Sequence, residues 1–104
     1  MANMTTVVPE VVGDFDYYFA YLDHRFAELE EVGQSWNDMT SQDQNEFLFD
    51  WPIVEDHLND LRKLVARQAL PAAYRASYQQ LDERISRDRP ILERLQASEM
   101  IRGR

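Results

Sequence analysis

The chain has no cysteine, and only three glycines, four prolines, two histidines and one lysine among its 104 residues. Without cysteine there is no disulfide, no thiolate nucleophile and no cysteine-built zinc or iron–sulfur site. The glycines at 13, 33 and 103 stand apart, so no glycine-rich phosphate loop can form. No apolar run reaches the ~18 residues of a membrane span. The opening Met1-Ala2-Asn3-Met4-Thr5-Thr6 has neither a basic nor an apolar signal region, which gives the expectation of a cytoplasmic protein.

What is present is a folding composition. Hydrophobic residues make up 44% and aromatics 12%, enough for one core and too short a chain for two. The net charge is −8 and unevenly spread. Residues 1–60 hold 14 acids and one base, Arg25; residues 61–104 hold five acids and ten bases. A surface with this acid excess does not suit nucleic acid or anionic membrane. The split reads first as structural, with arginines of the last third facing acids of the first half. It also offers an acidic face to a basic partner.

Hydrophobic spacing predicts an all-α fold, a three-helix antiparallel bundle. The first helix is expected from Phe15 to Val32, capped by Asp14 and stopped by Gly33. Its stripe is Phe15, Phe19, Leu22, Phe26 and Leu29, spaced 4, 3, 4, 3. A loop at 34–40 follows, with Trp36 and Met39 folding back as a lid. Ser41-Gln42-Asp43-Gln44 reads as a capping box that opens the second helix. Phe47, Trp51, Val54, Leu58, Leu61 and Val65 continue in register across Pro52, so a kink is expected there rather than a break. The tight Leu70-Pro71 connection makes a long helix 2–helix 3 hairpin. The third helix shows Tyr74, Tyr78, Leu81, Ile85, Leu92 and Leu95, with a kink or break at 88–90 beside Pro90. Residues 1–13, with Val7-Val8-Pro9, read as an extended arm, 14–101 as a single helical-bundle domain and 102–104 as a frayed tail.

No catalytic constellation emerges. His24 and His57 have Tyr21 and Val54 three residues before them, so the Glu-x-x-His signature of di-iron bundles is missing. Ser35, Ser41, Ser77, Ser86 and Ser98 lack a nucleophile elbow. The acids fall mainly on faces opposite the stripes, as a solvated surface. Arg84, Arg87, Arg89 and Arg94 make i,i+4 pairs or meet the acidic half. Leu81-Asp82-Glu83-Arg84-Ile85 is similar to the opening helix of small all-helical chorismate mutases. The likeness covers one helix of three, at the opposite end of the chain, and no family is read from it. The expectation is therefore no enzyme, no metal and no cofactor.

Helix lengths direct attention to the hairpin tip. A first helix of about 18 residues is some 15 Å shorter than its partners at about 1.5 Å per residue, and covers the second only to about residue 59. Leu61, Leu64, Leu70, Tyr74 and Tyr78 would then need a cover. The arm, with Val7, Val8, Val11 and Val12, or a second copy of the chain could supply it. The leading expectation is a non-catalytic interaction protein, self-associating as a homodimer through those nine residues. The alternative is an acidic inhibitor or immunity-type protein that binds a basic partner or mimics nucleic-acid charge. A small helical enzyme or metal carrier is the third reading.

Overall fold

The heptad stripe on the first helix places one large apolar side chain on the same face every turn, and that face must find a wall. In the computed structural model it finds two. The model describes the backbone of residues 2–68 and 70–102 and the side chains of residues 14–68 and 70–96. The order is α1 (Ala2–Ser35), a 3-10 turn (Trp36–Asp38), α2 (Ser41–Arg67), a second 3-10 turn (Ala72–Tyr74) and α3 (Arg75–Arg102). No strand occurs among the described residues. α1 packs against both α2 and α3. Phe15, Phe19, Leu22, Phe26 and Leu29 are all buried, together with Trp51, Val54, Leu61 and Leu64 of α2 and Leu81 and Leu95 of α3. Each such side chain is worth about 1.5–3 kcal/mol of burial.

α2 and α3 run through Pro52 and Pro90. Pro52 and Pro90 lie on exposed faces. Water can there satisfy the carbonyls of Leu48 and Ser86, which lose their i→i−4 donors. Phe47, Trp51, Val54 and Leu58 all join one core, as the register across Pro52 requires. Asp88 does not end α3; it occupies its heptad position inside the core, 2% exposed.

Three boundaries differ from expectation. The expected extended arm is helical from Ala2 onward, continuous with α1, while Met1 lies outside the described residues. β-branching costs only tenths of a kcal/mol per residue, and a helix nucleated by a packed stripe gains one hydrogen bond for each residue it adds other than Pro9, which has no N–H to give. Asp14 is consequently an interior residue and not a cap. At α2 the cap is Thr40 rather than Ser41; its hydroxyl accepts from the Asp43 amide at 3.1 Å. Gln44, one residue too far on to close a capping box with Thr40, turns inward and donates to the Trp36 carbonyl at 2.6 Å. That bond ties the buried Trp36 of the first turn to the opening of α2.

The third difference is Gly33, which is helical with an ordinary negative φ and does not stop α1. Its role is close approach. A Cβ built there would lie 2.7 Å from Ile91 Cγ2 of α3. The Gly33 carbonyl accepts from Arg94 Nη2 at 2.7 Å. The missing side chain lets α1 and α3 touch at this level.

Two predictions test the packing. Trp51 is 1% exposed, edge-on to Phe26 and tilted against Phe47. Trp51→Ala should cost about 3–5 kcal/mol in a denaturant melt; a melt indistinguishable from wild type would contradict the core assignment. Helix propensity alone would make Gly33→Ala stabilising by up to about 1 kcal/mol. The contact with Ile91 reverses the sign, so a loss of about 1–3 kcal/mol is expected. Adding Ile91→Leu, which moves the branch off Cβ, should recover most of that loss. A Gly33→Ala chain more stable than wild type would show that the helices lie further apart.

Candidate functional site

The residues expected at a partner interface occupy a different place from the one the length argument gave them. Leu61 and Leu64 are buried, and Leu70, Tyr74 and Tyr78 are half-buried against the same intrachain core. The side chains of Val7, Val8, Val11 and Val12 lie outside the described residues. The cover is α1 itself. The Phe15 and Phe19 rings lie 5.4 and 5.7 Å from the Tyr74 ring, and Phe19 reaches Tyr78 edge-on at 6.4 Å. The Tyr74 hydroxyl donates to Asp16 at 2.6 Å, which raises the phenol's pKa. The helix extends past its expected start, and helical side chains lean toward the N-terminus, here toward the tip. The premise of an uncovered tip is therefore corrected.

The apolar surface that remains exposed is elsewhere. Phe49 is 83% exposed, Tyr17 54% and Ile53 51%. Phe49, Ile53 and His57 follow one another at four-residue spacing along α2. His57 joins them to α1: its ring stacks on Tyr21 with centroids 4.0 Å apart, and its Nε2 lies 3.1 Å from the Tyr17 hydroxyl. Nδ1 is 2.8 Å from the Ile53 carbonyl, an acceptor only, so Nδ1 carries a proton. The aromatic row is thus braced across two helices.

Acids frame it. At about 100° per residue, Glu46, Phe49, Asp50, Ile53, Asp56, His57 and Asp60 fall within an arc of about 120°. This is a second stripe, beside the core stripe and distinct from it. Phe49, Glu46 and Asp50 line a shallow hollow at its upper end. At its lower end burial, with the charges of Asp60 and Asp14, pushes the Tyr18 phenol up. None of these four acids of α2 makes an ion pair among the described residues. The signal was in the sequence, as large apolar residues alternating with acids at helical spacing.

Two arginines of α3, Arg84 and Arg87, meet acids of the first half as the charge split implied, while Arg94 reaches the Gly33 carbonyl instead. Arg84 donates to Glu30 through Nε and Nη2 at 2.9 and 3.2 Å, and Arg87 donates to Glu30 at 2.9 Å. Arg84 also lies 3.9 Å from Asp23. The pairing with Arg84, the neighbouring Asp88 carboxyl and the pairing with Arg87 hold Glu30 at about 2, against burial. An open cleft of about 730 Å³ beside this cluster is lined by Glu30, Gly33, Trp36, Arg87, Asp88 and Arg94. His24 is exposed, and Glu28, one turn on, pairs with Arg25 at 2.8 Å.

Chemically, the second stripe can do one thing well: hold an apolar side chain while attracting positive charge around it. Among the described residues no three His, Asp or Glu side chains converge as a metal site, and no helix is long and apolar enough to cross a membrane. In comparisons with known proteins, no family model, no curated protein and no solved structure matches the chain.

Proposed function

We propose that this chain is a non-catalytic protein-binding module whose α1–α2 face docks a basic, amphipathic segment of another protein. The observation that carries the reading is Phe49, 83% exposed in a stripe with four acids that make no ion pair among the described residues. Exposing an aromatic ring to this degree has no folding benefit, and apolar exposure rimmed by charge is how interaction surfaces are built. The row from Phe49 to His57 is about 12 Å long, a little over two helical turns. It matches apolar residues spaced four apart on a partner helix. The flanking acids supply steering and orientation more than raw affinity. So small a patch supports a transient complex with micromolar affinity rather than an obligate one. Inhibition of a basic protein is one form that such docking would take.

The test uses a synthetic lysine–leucine amphipathic helix as probe, with a scrambled peptide of identical composition as control. Amide shifts should concentrate at Tyr17, Tyr21, Phe49, Ile53 and His57, and affinity should fall at least about tenfold between low and high salt. Phe49→Ser with Ile53→Ser should leave stability within about 0.5 kcal/mol, because both side chains are exposed, yet weaken the peptide at least about tenfold. Equal binding of the scrambled peptide, or undiminished binding by the double variant, contradicts the reading. So does sedimentation showing that this face pairs two copies of the chain.

A further inference from the structure

Asp88 stands where an apolar residue is due. Its neighbours in the heptad are Ile85 and Leu92, both packed on the core, and it is itself 2% exposed. Carboxylates are almost never buried this completely unless paired. The arginines nearest to it are already engaged. Arg84 and Arg87 make their short bonds to Glu30, at 2.9, 3.2 and 2.9 Å. Asp88 receives only a 3.3 Å bond from Arg87 Nε, and Arg84 Nε stays 3.9 Å away. Asp88 Oδ2 is buried with no donor. The Glu30 carboxyl stands beside it, sharing both Arg84 and Arg87 with it.

A fully buried carboxyl whose Oδ2 has no donor, crowded with a second carboxyl onto the same two arginines, favours its protonated form, since like charges so close do not both ionise cheaply. Glu30 has two arginines and is 30% exposed, so it keeps its charge. The proton therefore sits on Asp88.

We propose that the Glu30–Asp88 pair is a proton-operated latch between α1 and α3. Protonated, Asp88 lets the two helices stay closed beside the Gly33–Ile91 crossing. Ionised, it places two negative charges against each other in the core, and α3 loosens from α1 along the cleft that Gly33 and Trp36 line. The charged groups around Asp88 come from every helix. Glu30 faces it from α1, and Arg84 and Arg87 from α3. An apolar cavity of about 190 Å³ beside it carries Glu55 on its α2 wall and Arg89 on its α3 wall. Burial first, then Glu30 beside it, raises Asp88 to about 6, while Glu30 is held at about 2.

The two groups act on stability in opposite directions. A carboxyl raised in the folded state stabilises below its unfolded value of 3.8, and that contribution is lost as pH rises through about 6. A carboxyl lowered in the folded state stabilises above 4.5, and that contribution is lost as pH falls through about 2. The latch is therefore tightest between about pH 4 and 5 and slackens toward neutrality, while acid-driven loss begins only below that window. The latch is independent of the docking face.

The side-chain carboxyl carbon of Asp88, followed by NMR across pH, tests this on the wild-type chain. A midpoint near 6 is expected; a midpoint below about 4, the ordinary range of aspartate, overturns the proposal. The second arm compares amide exchange at Gly33, Gln34 and Ile91, corrected for intrinsic rates, at pH 5 and 7.5. Protection should fall at least about tenfold in wild type and stay level in Asp88→Asn, whose amide does not ionise. Parallel behaviour of the two chains overturns the latch. If Asp88→Asn fails to fold, the carboxyl titration decides alone.

Discussion

Five side chains on α1 carry the arrangement of everything else. Phe15, Phe19, Leu22, Phe26 and Leu29 enter the seam between α2 and α3, and no other element among the described residues could fill it. α2 and α3 meet each other less extensively than either meets α1. The hairpin they form is thus held closed largely by what lies between its arms. Its tip is sealed by Phe15 and Phe19 against Tyr74 and Tyr78. Its open end is sealed by Trp36, which Gln44 fixes through the backbone. The Gly33–Ile91 crossing then sets how close α1 and α3 can come, and places Glu30 against Asp88, Arg84 and Arg87.

The same packing explains how the acid excess is distributed. α3 lies beside α1, so its arginines reach Glu30 and Asp23 of α1. They do not reach the outward acids of α2. Neutralisation is therefore local, and Glu46, Asp50, Asp56 and Asp60 remain as a field around Phe49 and Ile53. Of these pairs, the more exposed ones such as Arg84–Asp23 contribute little to stability, on the order of 1 kcal/mol or less each. The folding energy comes from the stripe, and the charges shape what the surface attracts.

Much of this was legible before any coordinates. Heptad spacing identified the α1 stripe and the α2 face through Trp51, Val54 and Leu61, and register across Pro52 correctly argued for continuity. What failed had physical reasons. Helix lengths were counted from a valine-rich start that propensity alone would leave extended, so α1 came out short and the tip looked bare. Gly33 was read as a helix stop because glycine's conformational freedom is the commoner reason for its use, and the tight crossing with Ile91 is a tertiary fact. A kink or break was expected at 88–90 because Asp88 interrupts the apolar stripe just before Pro90; its burial depends on Glu30, Arg84 and Arg87, tertiary neighbours that spacing does not show. Phe49 and Ile53 were passed over because they lie outside the core stripe, although with Glu46, Asp50 and Asp56 they form a stripe of their own.

The claim on which the rest stands is that each chain seals its own hairpin tip with α1. A mixture of isotope-labelled and unlabelled chains, examined by isotope-filtered NOESY, tests it directly. The account predicts that the contacts of Phe15 and Phe19 with Tyr74 arise within one chain and are missing from the intermolecular spectrum. Their appearance in the intermolecular spectrum alone would contradict it, because the tip would then be closed by a second copy.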